Sequence, residues 1–372
     1  MSQYNTAKEP LIHLTRRASI PAPKAWAIRI AAFLLGALLC GLVAFLLIDK
    51  LREHPDRIGE FYACFFNGSF STSRKIWKFM KNVAILLCIA LALTPAFRMR
   101  FWNTGAEGQT LMGVLGAIAV DFYLGGQIPE WVLLVLMLIA SLAAGAVWGL
   151  IPAVFKAKWN TNETLFTLMM NYVASYLVSY FLVIWVPSGS SSLGKLKYGA
   201  LPSIGHDYLL IILVVVLLTG FLYIYLNYSK HGYEISVVGE SQNTARYVGI
   251  NVQKVTIRTM LLSGLLCGLA GYLIGAGLDQ SVNPDSVGGQ GFTAIMVSWL
   301  ANFNPLAMVL TAALVQGLNQ GASQISTNFD VSSALPDVVV GIVLFFIIGS
   351  EFFIRYEIHV RGHHGVEKGA AK

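Results

Sequence analysis

The 372 residues predict an all-α, polytopic membrane fold of about ten transmembrane helices, with both termini in the cytoplasm. Three observations carry that expectation. Hydrophobic residues make up 56% of the chain and charged residues only 12%, about half the roughly 25% charged content of a soluble domain. Apolar runs long enough to cross the roughly 30 Å hydrocarbon core recur along the sequence. Lys and Arg fall in short clusters between those runs, so the net charge of +7 is topology information and not the footprint of nucleic-acid binding. A soluble enzyme, a secreted disulfide scaffold and a disordered chain are excluded, and an outer-membrane barrel would show ten-residue alternation instead.

In chain order, the apolar runs lie at about 26–48, 82–97, 102–120, 131–153, 164–186, 208–228, 256–278, 304–322 and 334–354. The first begins near Trp26 and is too long and too late for a signal-peptide core, so it is expected to remain as a span. A tenth run at 290–303 is short. Fourteen helical residues reach only about 21 Å, so this piece is either a tilted crossing or half of a broken helix held against protein. If all ten cross, 17 of the 26 basic residues share the side of both termini, and the positive-inside rule makes that side cytoplasmic. The expected organisation is a cytoplasmic tail 1–25, one transmembrane domain 26–354 with an inner loop 229–254, and a cytoplasmic tail 355–372. Arg74-Lys75-x-x-Lys78-x-x-Lys81 falls on the opposite side and is expected to lie along the outer face as an amphipathic segment, with Trp77 and Phe79 at the interface. The Ser- and Gly-rich outer loop from Pro187 to Asp207 is expected to be mobile.

Four scattered cysteines and seven histidines show no metal-ligand spacing, and His363-His364 sits in a polar tail. No P-loop or dinucleotide fingerprint is present. No cofactor is expected, and any energy source must bind its nucleotide on another chain.

Three segments stand out. Trp102-Asn103-Thr104-Gly105-Ala106-Glu107-Gly108-Gln109 opens the third run with a carboxylate between two glycines. A charge at mid-bilayer costs at least about 2.5 kcal/mol, so a broken or tightly packed helix start with inward polar groups is expected. Glu107 then either faces a solute pathway or binds backbone amides to fix a bend; Asn103, Glu107, Gln109 and Asn171, with Trp102 nearby, are the expected lining of a pathway for a neutral polar solute. Gly239 to Ile250 reads as a short helix N-capped by Ser241 and closed by Gly249. Two turns are not stable alone in water, so it rests on its own protein's face or docks on a soluble partner, with Gly239, Asn243, Ala245, Arg246 and Gly249 the residues concerned. Gly264, Gly268, Gly271 and Gly275 share one helix face and are expected to let helices pack closely.

These segments resemble, in order, the motifs of the permease subunits of ABC importers for simple sugars and nucleosides, a group related to branched-chain amino acid and ribose permeases. Asn103 to Gln109 is similar to N-I-G-A-E-G-Q, with Thr104 in the aliphatic position. Asn162-Glu163-Thr164 through Met170-Asn171-Tyr172 is similar to N-E-x-x-x-T-x-M-x-N-Y. Gly239 to Ile250 resembles the coupling segment G-x-N-x-x-A-A-x-Y-x-G-I, with Arg246 in a small-residue position. Gly291-Phe292-Thr293-Ala294-Ile295 and Asn304-Pro305-Leu306 resemble G-F-x-x-I and N-P-x-G, with Ala307 for glycine.

The resemblance runs from about Asn82 to Glu351 and implies a type II importer permease in a bacterial inner membrane, not itself an enzyme. It further implies a second, paralogous permease, ATPase modules that are separate or tandem in one chain, and an extracytoplasmic substrate-binding lipoprotein. Within the group the first motif points toward nucleosides. A sugar or branched-chain amino acid permease is the alternative of the same class. An ion-coupled secondary transporter is the alternative of a different class, and a non-transporting membrane scaffold is a third.

Overall fold

The computed structural model describes residues 12–17, 20–186, 189–203, 205–332 and 334–360. Lys8, Arg361, His363-His364, Lys368 and Lys372 lie outside the described residues. In chain order the elements are β1 (Ile12–Arg16), α1 (Ala22–Leu47), α2 (Asp49–Glu53), α3 (Ile58–Phe70), α4 (Ser73–Arg98), α5 (Ala106–Leu124), α6 (Glu130–Trp159) and α7 (Glu163–Trp185). They continue with α8 (Leu209–Tyr228), α9 (Lys230–Glu240), α10 (Gln242–Tyr247), α11 (Val252–Ile274), α12 (Gln290–Leu300), α13 (Pro305–Phe329), α14 (Ala334–Arg355) and β2 (Tyr356–Val360).

The fold is mainly helical, and among the described residues seven helices are long and apolar enough to cross a membrane: α1, α4, α6, α7, α8, α11 with the turn that follows it, and α14. The remaining predicted runs coincide with α5, α12 and α13. At 11 residues, α12 is only about 16 Å long and cannot cross a 30 Å core unaided.

Two compact units are present, one comprising Met1–Gly68 with Gly321–Lys372 and the other Ser69–Gln320. In the first, α1 packs on α14, with Arg29 Nη2 on Glu351 Oε1 at 2.7 Å. The two tails, read from sequence without structure, pair as an antiparallel ribbon with Arg16 opposite Tyr356, a small departure from an all-α fold. Pairing between segments some 340 residues apart leaves no local sequence signal.

In the second unit the core forms around α11, most of whose residues are buried. Close backbone approach explains this. A Cβ on Gly264 would lie 2.5 Å from the Gly145 carbonyl of α6, and one on Gly271 2.5 Å from the Thr110 carbonyl of α5. Gly268 faces the Ser141 carbonyl just as closely, while Ser141 Oγ donates to the Gly268 carbonyl at 2.7 Å. Gly275, by contrast, has only ordinary contacts near 3.6 Å with Ala117 and Ile118, and opens a π-helical turn over Gly275–Asp279. With no hydrophobic drive between helices in lipid, such small-residue seams let van der Waals packing hold the bundle.

Two expectations change here. The basic stretch 74–81 is not a separate surface segment but the first two turns of α4, a continuous 26-residue helix. At about 39 Å this helix exceeds the roughly 30 Å hydrocarbon core by nearly two turns. The loop expected to be mobile is tied down between Leu193 and Leu201. The amides of Leu193, Leu196 and Leu201 donate to the carbonyls of Val282, Gln280 and Ala276, and Leu193 is buried.

Candidate functional site

The chain leaves α4 at Arg98 and runs non-helically through Met99–Gly105 before α5 begins. Four polar side chains organise that start. Asn103 is fully buried. Its Oδ1 accepts from the Gly105 amide at 3.0 Å and from Gln109 Nε2 at 3.1 Å. Its Nδ2 donates to Gln109 Oε1 at 3.2 Å and to Ser263 Oγ of α11 at 3.3 Å. The two amides therefore satisfy one another, as burial demands. Asn171 of α7 reaches across with Oδ1 accepting from the Gly108 amide and Nδ2 donating to the Thr104 carbonyl, both at 2.9 Å. The Gly108 amide is one of the four that a helix start leaves without an internal partner, so Asn171 caps α5 from a neighbouring helix.

Thr104, the departure from the motif, has a definite contact. Its hydroxyl donates to the Thr164 carbonyl at 3.0 Å and its amide to Thr167 Oγ1 at 3.2 Å, fastening the turn to α7. An aliphatic side chain in its place has no hydroxyl to donate.

Glu107 faces a different helix. Its Oε1 accepts from the Gly289 amide at 2.8 Å and its Oε2 from the Gly291 amide at 2.7 Å. These are the first amides of α12, where the helix dipole favours an anion. Gly289 adopts φ +73°, and a Cβ on Gly291 would collide with the Glu107 backbone. One carboxylate thus ties the short helix α12 to the start of α5, across 182 and 184 residues of sequence. Glu107 remains partly exposed, unlike Asn103 and Gln109. Trp102 is 42% exposed and lies against Trp299 of α12, itself 46% exposed, with ring centroids 5.1 Å apart.

The second candidate is the α9–α10 segment. Ser241 Oγ accepts from the Thr244 amide at 3.2 Å to cap α10, and Gly249 takes φ +81° just past its end. Ala245 is fully buried, in one apolar cluster with Val238 and with Met99 and Phe101. Gly239 packs directly on the Arg98 carbonyl, where a Cβ would collide. Arg258 Nη2 on Glu234 Oε2 at 2.7 Å braces α9 against α11. Everything else on α10 points outward: Asn243 and Arg246 are exposed, Gly249 likewise, and Tyr247 is 91% exposed.

Sequence reading therefore named two segments without seeing that they touch. Met99 and Phe101, just before Trp102 and Asn103, lie in the same buried apolar cluster as Ala245, and Gly239 packs against the Arg98 carbonyl and the Met99 Cα. It also missed Trp299 and the exposed face of α7, which carries Tyr172, Tyr176 and Tyr180. Their four-residue spacing was the available signal, because it sets them on one helix face.

Among the described residues no group of three or more His, Cys, Asp or Glu is placed to hold a metal ion. Residues 76–348 match the family described as branched-chain amino acid transport system / permease component. Guanosine ABC transporter permease protein NupP of Bacillus subtilis (strain 168) is 30% identical over 331 residues, covering 86% of this chain and 93% of that protein. Glucose ABC transporter permease protein TsgB13 of Haloferax volcanii is 28% identical, covering 94% of each chain. Guanosine ABC transporter permease protein NupQ of Bacillus subtilis is 25% identical, covering 68% of this chain and 83% of that protein. With a helical membrane bundle and a family match over most of its length, the chain belongs to this family and is a multi-pass permease subunit of an ABC importer, a transport component and not an enzyme.

Proposed function

We propose that this permease carries nucleosides or related ribosyl compounds inward, paired with a paralogous permease, driven by a separate or tandem ATPase and supplied by an extracytoplasmic lipoprotein. In this reading about ten segments cross, α12 forming the half of a broken span that is held against protein, and both termini are cytoplasmic. Asn243, Arg246, Tyr247 and Gly249 form the face that the ATPase engages. Two guanosine permeases of one organism are both similar to this chain, which supports pairing between non-identical subunits and a nucleoside cargo. The similarity to a glucose permease supports a simple sugar as the second reading.

One observation carries the mechanism: Ala245 and the residues just before Asn103 share a single buried cluster. A push on the exposed face of α10 cannot be absorbed by Ala245, which has no free space, and passes to Met99 and Phe101. The next residues carry the Asn103–Gln109 amide pair and then Glu107. Tilting the α5 start strains the Glu107 carboxylate against the α12 amides, so the α5–α12 contact is the element with two states. ATP shifts that equilibrium only by binding the two states differently. In the conduit, Trp102, Glu107 and the tyrosine face of α7 are the wall. Tyr172 and Tyr176 lie mid-helix, where lipid offers a phenol hydroxyl no partner, and a passing polar solute with an aromatic base does. Asn103, Gln109 and Asn171 hold this wall in place by bonds within the protein.

Uptake of labelled guanosine and glucose by proteoliposomes containing the permease pair, the ATPase and the lipoprotein tests the reading. ATP-dependent entry of guanosine with little glucose is expected. Entry of glucose alone reverses the substrate assignment, and entry driven by an ion gradient without ATPase overturns the mechanism.

A further inference from the structure

The first unit holds a cavity. It lies between α1 and α14, has a volume of about 850 Å3 and is almost wholly apolar. Its origin is local. Ala31 and Ala32 on α1 face Gly349 and Ser350 on α14, and four small residues opposite one another leave a groove where larger ones would interdigitate. Phe345 and Phe353 form the side walls.

One end of the groove is charged. The Arg17 amide donates to the Arg355 carbonyl at 2.9 Å, and the β1–β2 ribbon holds this rim in place. Arg17 Nε lies 3.7 Å from Glu357 Oε2, too far for a hydrogen bond, and is buried with no hydrogen-bond acceptor. Arg29 and Arg355 both pair with Glu351, at 2.7 Å and 3.6 Å. Lys24 stands exposed one turn before Ile28 on the α1 stripe that lines the groove. Arg17 lines the groove, and Lys24, Arg29 and Arg355 bring further cationic side chains to this end of the α1–α14 pair.

We propose that this groove binds one anionic phospholipid, an acyl chain lying between α1 and α14 and the phosphate resting on Arg17. A basic pocket between membrane helices at headgroup level has the chemistry for an anionic headgroup, and a guanidinium presents paired donors to phosphate oxygens. An acyl chain leaves a lipid environment for one equally apolar, so the chain itself contributes little preference. Selectivity resides in the headgroup, and zwitterionic lipid of the same chain length binds less.

The test is native mass spectrometry of the full-length chain titrated with phosphatidylglycerol or phosphatidylcholine of identical acyl chains. The wild-type chain is expected to retain phosphatidylglycerol preferentially. Arg17→Gln lowers its occupancy about fivefold, the factor for about 1 kcal/mol per surface cation, and leaves phosphatidylcholine unchanged. Arg17→Lys keeps most of the preference. Ala32→Phe fills the groove without touching the rim and lowers binding of both lipids, which keeps the test informative if the Arg17 variant is poorly folded. Equal retention of the two lipids by the wild-type chain overturns the proposal, as does unchanged occupancy in both Arg17→Gln and Ala32→Phe. Lipid binding that emerges only after residues 361–372 are removed makes the chain's own tail the occupant and overturns it too.

Discussion

Two short segments of similar composition, Asn103–Gln109 and Gly239–Ile250, fold in opposite ways. In the first, almost every polar group ends on another group of the same chain: Asn103 on Gln109, Thr104 on α7, Glu107 on the amides of α12. In the second, one alanine is buried and the polar side chains around it face outward. Burial decides what each can do. A segment whose donors and acceptors are already matched gains little from a partner and acts as a joint. One anchored by Gly239 and Ala245, with a tyrosine and an arginine left outside, presents a surface. Ala245 shares one buried cluster with Met99 and Phe101, and in the proposed mechanism that cluster links surface and joint as one lever.

Overfilling the Gly239 contact breaks this comparison most severely. Gly239→Leu drives a side chain into the Arg98 carbonyl, and overpacking of about 1–3 kcal/mol is expected to lift α9 and α10 away. Co-purification with the ATPase and uptake are both expected to be lost. An intact complex counts against the segment as the docking element.

Opening the joint comes next. Glu107→Ala leaves the Gly289 and Gly291 amides without their acceptor, at about 1–3 kcal/mol each. Uptake is expected to fall at least about tenfold while the ATPase remains bound, as read by tracer uptake and pull-down on the same preparation.

Stripping the surface has a smaller and opposite signature. Tyr247→Ala removes an exposed ring and no internal bond; as an interface aromatic it is expected to weaken ATPase binding by about 2 kcal/mol with an unchanged melting temperature. A lowered melting temperature makes Tyr247 part of the fold instead.

The smallest effect belongs to Thr104→Val, which loses the hydroxyl bond to the Thr164 carbonyl and restores an aliphatic residue. A loss of about 1 kcal/mol in stability, seen as a modest drop in melting temperature with near-normal uptake, sharpens the view of Thr104 as a fastener.

Much of the fold is legible in the sequence, because apolar runs and Ser, Gly and Asn caps are local signals. Ser241 and Gly249 mark the ends of α10 where their chemistry says they should. The basic stretch 74–81 misleads because four cations on an amphipathic helix read alike whether the helix lies on a surface or continues into a span, and the structure shows one unbroken α4. Gly275 shares the spacing of its three neighbours on α11, yet it meets Ala117 and Ile118 of α5 with room for a Cβ, at the point where the π-helical turn begins. Long-range pairings were out of reach. Nothing near Glu107 names Gly289 as its partner, nor anything near Ile12 the strand that begins at Tyr356.

The number of solute molecules imported per ATP hydrolysed, measured in proteoliposomes for wild type, Glu107→Ala and Tyr247→Ala, tests the lever most directly. A joint that converts motion into transport makes Glu107→Ala hydrolyse ATP while importing less, so its ratio falls. Tyr247→Ala, which only loosens the grip of the motor, slows both processes and keeps the wild-type ratio. An unchanged ratio in Glu107→Ala contradicts the account.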